Sequence, residues 1–189
     1  MTAQHCENTN EKELTRLLRR GDTLAMRRFY DLYAGYLAGV CSRYVADKAD
    51  AQDVLQESLV KIMYNISRFD YRGEGSLRSW ATRITVNEAL NMLRDRRRTD
   101  FADIDSGVAD MADEPEPDVA DIPPEAIHDM ISRLPDGYRT VFNLYAVEGR
   151  SHKEIGRMLG IGESSSASQF HRAKNRLARE IREYREKLK

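Results

Sequence analysis

The segment Ser151–Leu177, SHKEIGRMLGIGESSSASQFHRAKNRL, has the pattern of two short helices joined by a tight turn. Ser151 and Glu154 have the spacing of a capping box, in which each side chain bonds the other residue's backbone N–H at a helix start. Gly160 ends the first helix, because glycine adopts the left-handed backbone at little steric cost. In the second helix the inward residues are predicted at helical spacing: Ala167, Phe170, Ala173, Leu177 and Ile181. The segment therefore predicts a helix-turn-helix.

The face of the second helix opposite these inward residues is polar at its start and cationic further along. It comprises Ser164, Ser165, Ser166, Ser168, Gln169, His171, Arg172, Lys174 and Arg176. A recognition helix directs its first side chains at base edges and its later ones at phosphates, so this order favours DNA binding. The alternative is an amphipathic helical hairpin with a solvated basic face.

We predict which of these side chains enter the major groove of DNA: Ser165, Ser166, Gln169 and Arg172. The Gln169 amide can pair with both N6 and N7 of adenine. Arg172 is placed for a guanine edge or a phosphate.

The charges of the 189-residue chain are segregated. The formal net charge is only -1, but ten of the 31 acidic residues lie in 100–125, which has no Lys or Arg. The rest of the chain therefore has 21 acidic against 30 basic residues, a formal net charge of +9. Such a basic body is typical of nucleic-acid-binding proteins.

The acidic segment also divides the chain. Residues 100–125 are rich in Asp, Ala and Pro and have no sustained helical period, so they predict a flexible acidic linker. On either side lie helical patterns, and no segment alternates like a strand. The predicted fold is all-α, with two small helical domains at 1–99 and 126–189. No apolar run approaches the length of a membrane span, so we expect a cytoplasmic protein without membrane insertion.

Four helices are predicted in 1–99 and two more between the linker and the helix-turn-helix. The first four comprise Glu11–Arg20, a long helix capped by Asp22, a third capped by Asp47 or Asp50, and a fourth capped by Ser76. The other two are Ala126–Leu134 and Tyr138–Val147. The long second helix has an apolar stripe that we expect in the core: Leu24, Phe29, Leu32, Tyr33, Tyr36, Leu37, Val40, Cys41 and Tyr44.

The outward face of the third helix carries Asp53, Gln56 and Glu57, with Lys61 one turn further on. The two acids are four residues apart, so they repel each other on the helix surface by a few tenths of a kcal/mol. A cationic partner would relieve this repulsion.

The fourth helix is cationic and follows a glycine-containing loop at 70–75. Aromatic side chains beside a basic helix suit single-stranded nucleic acid, because bases stack on rings. The candidate contacts are Tyr71, Arg72, Arg78, Trp80, Arg83, Asn87, Asn91 and Arg94. The arginines are equally consistent with a solvated helix end favoured by the helix dipole, and the spacing of Trp80 also fits a core position.

No enzyme signature competes with this interpretation. Gly73-Glu74-Gly75 lacks the Lys-Ser/Thr of a phosphate-binding loop, and the acids of the third helix have no accompanying histidine for a di-metal site. The two cysteines, Cys6 and Cys41, suggest neither a disulfide framework nor zinc. We expect no catalytic residue, no metal and no cofactor.

Several stretches in combination resemble conserved regions two and four of the sigma-70 family. They are Asp50–Glu57 (DAQDVLQE), Arg68-Phe69, Ser79–Ile84 (SWATRI), Asn87, Leu134-Pro135, Glu154–Gly156 and Arg172–Lys174. The absence of a middle domain resembles the extracytoplasmic-function (ECF) subfamily. The resemblance implies a non-enzymatic, dissociable subunit that brings RNA polymerase to a subset of promoters and helps to melt them.

The resemblance also implies roles for individual residues. Asp53, Gln56 and Glu57 would dock on the clamp helices of the largest polymerase subunit. The Gly73 loop and the helix with Trp80 and Asn87 would open and read the minus-ten element, and Ser165–Arg172 would read the minus-thirty-five element. In that recognition helix the family's usual Thr-Val-Lys-Ser-Arg is replaced by Ser-Ser-Ala-Ser-Gln at 165–169, so no base preference is carried over.

The partners implied are the largest and second-largest subunits of core RNA polymerase, promoter DNA and an anti-sigma factor. The linker would thread the RNA exit path, where its acids mimic RNA. Two alternatives remain at this stage. One is a stand-alone helix-turn-helix regulator whose N-terminal helices dimerise or sense a ligand; the other is a helical interaction protein that never touches DNA. A repressor has no use for a polymerase-docking face, and the segregated charge argues against the second alternative.

Overall fold

The computed structural model describes residues 10–99 and 119–187, with side chains up to Arg96 in the first range. These residues form eight α-helices and no β-strand, so the all-α prediction is confirmed. The helices are α1 (Glu11–Arg19), α2 (Thr23–Tyr44), α3 (Lys48–Asn65), α4 (Ser76–Thr99), α5 (Pro124–Ser132), α6 (Asp136–Phe142), α7 (His152–Leu159) and α8 (Glu163–Lys187). Within the described ranges, no helix is long and apolar enough to cross a membrane.

The chain divides into two compact units. Of the described residues, the first unit contains 10–42 and 47–91, and the second contains 43–46, 92–99 and 119–187. The predicted linker falls largely on residues 100–118, which lie outside the described ranges. The predicted domain boundary at 99 therefore stays a prediction.

The helix starts of the first unit follow local capping rules. Asp22 accepts a 2.9 Å hydrogen bond from the Ala25 N–H at the start of α2, as predicted. Of the two candidate caps of α3, the structure has Asp47, whose side chain accepts from the Asp50 N–H.

The fourth helix is different, and here the prediction was wrong. Ser76 is the first residue of α4 rather than its cap, and its hydroxyl donates a 2.6 Å hydrogen bond to the Gly73 carbonyl. The carboxylate of Glu11, from α1, instead accepts hydrogen bonds from the N–H groups of Gly75, just before α4, and of Leu77, in its first turn.

The core of the first unit is formed by α1 to α4. Its fully buried members include Leu14, Phe29, Leu37, Ile62 and Leu77. The predicted core stripe of α2 was partly wrong: Leu24 is 79% exposed and Leu32 is 55% exposed, and Tyr36 is exposed as well. Apolar residues occur nearly all round α2, so periodicity could not select which of them face the other helices.

The main core cluster of the second unit lies between α5 and α8. Its buried members are Ile122, Met130, Leu134, Ala173, Leu177 and Ile181. The predicted linker end was therefore wrong, since Ile122 is buried in this core and α5 already begins at Pro124. Proline is favoured in the first turn of a helix, where its missing N–H is not needed, so Pro124 marks the start of α5.

The helix-turn-helix prediction is confirmed by α7 and α8. Ser151 and Glu154 form the capping box, and Gly160 has a left-handed backbone with φ of 69°. The Ile161 N–H donates a 3.0 Å hydrogen bond to the Gly156 carbonyl, which closes the C-terminus of α7. A Cβ atom at Gly156 would lie 2.8 Å from the Ile161 carbonyl oxygen, so the tight turn requires glycine there.

Candidate functional site

An acidic patch lies on the outward face of α3. Asp53, Gln56 and Glu57 are all exposed, as the sequence predicted. Lys61, one turn further on, forms an ion pair with Glu88 of α4 and not with Glu57. In the part of the chain that the structure describes, neither Asp53 nor Glu57 forms an ion pair, so their negative charges are uncompensated.

The same face of α3 continues as an apolar surface that the sequence analysis missed. Val60 is 65% exposed and Tyr64 is 83% exposed. Residues 53, 57, 60 and 64 follow each other at helical spacing and share one side of the helix. Beside Val60 and Tyr64 runs a shallow groove between α2 and α3, lined by Met26, Phe29, Tyr30, Leu59, Val60, Met63 and Tyr64. The available signal was the spacing of Val60 and Tyr64, which puts them on a different side of α3 from its buried residues, Val54, Ser58 and Ile62.

The loop before α4 has an unusual backbone. Gly73 and Gly75 have φ angles of 120° and 82°, which side-chain-bearing residues rarely adopt. The Arg72 N–H donates to the Ser76 hydroxyl at 3.2 Å, and the Tyr71 hydroxyl donates to Glu74 at 3.3 Å. Arg72 is exposed and Tyr71 is half-buried.

The predicted nucleic-acid residues of α4 divide into exposed and packed side chains. Arg78, Arg83, Asn87 and Arg94 are exposed, whereas Trp80 and Asn91 are half-buried. Trp80 packs on Phe69, with ring centroids 5.1 Å apart, so its ring belongs largely to the core. The Arg78 guanidinium lies 4.0 Å from the centroid of the Tyr36 ring, a cation–π contact that keeps this exposed cation in place.

At the start of α8, Ser164, Ser165 and Ser168 are exposed, but Ser166 is fully buried. The prediction that Ser166 enters the major groove was therefore wrong, and Ala167, which was predicted inward, is exposed. Position 166 lies four residues before Phe170 and seven before Ala173, on the inward face. The Ser166 hydroxyl is 3.0 Å from His152 Nδ1, and a hydroxyl with such a partner can be buried at little free-energy cost.

The rest of the predicted reading face is half-buried: Gln169, His171, Arg172, Lys174 and Arg176. The Arg172 guanidinium donates to the Tyr138 hydroxyl at 3.4 Å. The Gln169 Oε1 atom is buried without a hydrogen-bond partner among the described residues. Because a bidentate contact with adenine uses both amide atoms, the Gln169 side chain has to turn outward to make it.

An aromatic cluster fixes α8 against α7. The His152 ring stacks on Tyr145 with centroids 4.5 Å apart, and Tyr145 contacts Phe170 at 4.4 Å. Hydrogen bonds from Ser151 lower the pKa of the Glu154 carboxyl, which keeps the capping box charged and intact. These contacts orient the exposed serines at the start of α8.

Two family models match the chain: "Sigma-70 region 2" over residues 29–99 and "Sigma-70, region 4" over residues 124–177. Curated relatives include the ECF RNA polymerase sigma factor SigW of Bacillus subtilis, 26% identical over 91% of this chain and 97% of the relative. The ECF RNA polymerase sigma-E factor of Haemophilus influenzae is 28% identical over 93% of this chain and 97% of its own.

Among solved structures, the sigma factor RpoE of Bartonella quintana, in complex with the anti-sigma factor NepR, has a TM-score of 0.49 and 21% identity. The similarity covers 82% of this chain and 96% of that chain. The two matched regions follow each other in order, and the curated relatives are similar over nearly their whole length. The chain belongs to the sigma-70 family and is an ECF sigma factor of RNA polymerase.

Proposed function

We propose that the two units divide the work of a sigma factor. The first binds core polymerase through α3 and the minus-ten element through α4 and its preceding loop, and the second binds the minus-thirty-five element through α8. The observation that carries this proposal is the exposed acid pair of α3, Asp53 and Glu57, which has no ion-pair partner in the described ranges. Two such like charges on one helix face are destabilising unless a cationic surface covers them.

The polymerase-binding face comprises Asp53, Gln56, Glu57, Val60 and Tyr64. A helix that docks on it would place cationic side chains over the two carboxylates and apolar side chains on Val60 and Tyr64. Interfaces of this kind combine charge complementarity, which guides association, with a buried aromatic anchor that slows dissociation. Core RNA polymerase is the partner.

The minus-ten contacts are proposed for Tyr71, Arg72, Arg78, Arg83 and Asn87, whose side chains lie on the loop and on α4. Exposed guanidinium groups suit the phosphates of a separated strand, and Asn87 can bond the edge of an unstacked base. We assign Trp80 a supporting role, because its ring packs on Phe69 in the core.

The minus-thirty-five contacts are proposed for Ser164, Ser165, Ser168, Gln169 and Arg172 on α8. The exposed serines precede the cations along the helix, as in helices that read bases at their start and hold phosphates further on. Asn91 and Arg94 on α4, and His171, Lys174 and Arg176 on α8, remain proposed nucleic-acid contacts. The stand-alone regulator is not favoured, since both sigma-70 regions match.

Sigma factors are in general non-enzymatic initiation factors, and we propose no catalytic residue here. The site of action is the cytoplasm, where RNA polymerase transcribes the chromosome.

We further propose that the acidic linker lies in the RNA exit path of the polymerase until the transcript displaces it. An anti-sigma factor remains a proposed partner.

The function is tested by run-off transcription with purified core polymerase on genomic fragments. We expect discrete transcripts that require this protein, and fragments bound equally well without polymerase would contradict the proposal.

The minus-ten assignment is tested on one of these promoters with Asn87→Ala. This change should slow promoter opening, followed by a fluorescent base analogue in the minus-ten region, at unchanged closed-complex affinity. Weaker closed-complex binding followed by normal opening would contradict it.

A further inference from the structure

The loop at residues 70–75, here called the minus-ten loop, is held at both ends by α1. At its start, the Arg19 guanidinium donates a hydrogen bond to the carbonyl of Phe69. At its end, the Glu11 carboxylate accepts hydrogen bonds from the N–H groups of Gly75 at 3.0 Å and Leu77 at 2.8 Å. The Ser76 hydroxyl lies 3.2 Å from Glu11 Oε1, the same oxygen that accepts from the Leu77 N–H.

Glu11 is a buried residue whose carboxylate is held in place by several hydrogen-bond donors. Glu11 is only 8% exposed. Glutamate is rarely buried without partners, so this burial depends on the groups that bond its carboxylate. The Tyr33 hydroxyl also lies 3.4 Å from the carboxylate. Burial and the nearby Glu11 charge raise the pKa of Tyr33 to about 12, so Tyr33 remains a neutral hydrogen-bond donor. A buried anion at the start of α4 also interacts favourably with the positive end of the helix dipole.

The backbone hydrogen bonds within the loop converge on Ser76, at the start of α4: its hydroxyl accepts from the Arg72 N–H and donates to the Gly73 carbonyl. These bonds therefore depend on where the start of α4 is held. Asp70, Arg72 and Glu74 are exposed, and the two glycines with positive φ allow many backbone conformations. The conformation of the loop therefore depends strongly on what holds its two ends, and both holding side chains come from α1. The sigma-70 region 2 match begins at residue 29, so Glu11 and Arg19 lie outside it.

We propose that α1 sets the shape of the minus-ten loop, with Glu11 and Arg19 as positioning residues that do not touch DNA. This inference rests on the proposed role of the loop in binding the separated minus-ten strand. Loss of either side chain leaves α3 and its polymerase-binding face in place but frees one end of the loop. The loop then has to be ordered when the strand binds, which weakens capture of the unpaired base.

The test uses the full chain assembled with core polymerase. Glu11→Gln replaces one carboxylate oxygen by an N–H donor that cannot accept from the backbone, and Arg19→Met removes the donor at similar length. Matched controls are Glu13→Gln and Arg16→Met, because these two residues pair with each other on the same helix and do not bond the loop. Each holoenzyme is titrated with a single-stranded oligonucleotide of the non-template minus-ten sequence, taken from a promoter found by run-off transcription.

We expect Glu11→Gln and Arg19→Met to weaken oligonucleotide binding at least about fivefold, and to slow promoter opening, since each loses a charge-assisted hydrogen bond. Affinity for core polymerase and for closed duplex promoter should match the controls. All measurements are made well below the melting temperature of each variant. If Glu11→Gln fails to fold, the test rests on the oligonucleotide affinity of Arg19→Met compared with that of its control, Arg16→Met.

Two outcomes overturn the inference, and they differ from failure of the proposed function. Normal oligonucleotide binding by the α1 variants, together with a clear defect in Asn87→Ala, would show that the site is right and that α1 does not shape it. A parallel loss of core affinity, closed-complex affinity and oligonucleotide binding would show that α1 is only structural. If Asn87→Ala and the α1 variants all behave like the controls, the minus-ten assignment itself is wrong.

Discussion

The carboxylate of Glu11, in the first turn of α1, accepts a 2.8 Å hydrogen bond from the backbone N–H of Leu77, in the first turn of α4. The two residues are separated by 66 positions in the chain. The first N–H groups of a helix have no partner within it, and a side chain just before the helix usually bonds them. In α4 a distant helix supplies the acceptor, so the local cap has become a tertiary contact.

This contact predicts a clear effect on stability. Glu11→Ala should lower the free energy of unfolding of the first unit by ~1–3 kcal/mol, because the Leu77 N–H is buried and loses its acceptor. The measurement is urea unfolding followed by circular dichroism. Glu13→Ala, on the same helix but at an exposed ion pair, should change the free energy of unfolding much less, because water screens exposed ion pairs. Equal effects of the two substitutions would contradict the assignment.

The acid pair of α3 predicts a loss of binding without a loss of stability. Asp53→Ala with Glu57→Ala should weaken binding to core polymerase at least about tenfold, since charge pairs at such interfaces can contribute a few kcal/mol. The melting temperature should not fall, because the two charges repel each other in the free protein. Glu183→Ala with Glu186→Ala on α8 is the charge-matched control. Unaltered core affinity of the folded α3 double variant would refute the proposed face.

The apolar end of the same face predicts a different kinetic signature. Tyr64→Ser should speed dissociation from core polymerase, because an aromatic side chain that is exposed in the free protein is a strong candidate for an interface anchor. The association rate should stay close to that of the wild type, whereas removal of the Asp53 and Glu57 charges should reduce it at low salt. Surface plasmon resonance at several salt concentrations separates the two effects. An unchanged dissociation rate would limit the interface to the acidic patch.

The start of α8 predicts that neighbouring serines behave differently. Ser166→Ala should destabilise the second unit by ~1 kcal/mol and leave promoter preference unchanged, because the hydroxyl bonds His152 inside the protein. Ser165→Ala should have little effect on stability. Gln169→Ala should lose ~1–3 kcal/mol of binding free energy at one base position only, if Gln169 reads a base. A uniform loss over all promoter variants would show that Gln169 only positions the helix.

The turn between α7 and α8 predicts a steric effect. Gly156→Ala places a methyl group 2.8 Å from the backbone carbonyl oxygen of Ile161, so the turn has to open. We expect a loss of ~1–3 kcal/mol in the free energy of unfolding and weaker minus-thirty-five binding. At Gly162 the added methyl group would meet nothing closer than 3.5 Å, so Gly162→Ala should lose less. The comparison is made by thermal unfolding and by binding to the minus-thirty-five element.

The sequence alone determined what depends on neighbours along the chain. The capping box at Ser151, the left-handed glycine at 160 and the cap at Asp22 are local interactions, so their residue types and spacing are sufficient to predict them. For α3 the sequence left Asp47 and Asp50 as alternatives, and the structure has Asp47. The exposure of Asp53, Gln56 and Glu57 was equally predictable, because three polar residues on one helix face rarely find enough partners inside a small core.

Tertiary structure decided what depends on partners far away in the chain. Glu11 bonds the start of α4, Ser166 is buried on His152, and Lys61 pairs with Glu88 instead of Glu57. In α2, apolar residues surround much of the helix, and only packing against other helices selects Phe29 for the core and leaves Leu24 exposed. A polar side chain can be buried wherever a partner is supplied, and periodicity carries no information about a partner from another helix.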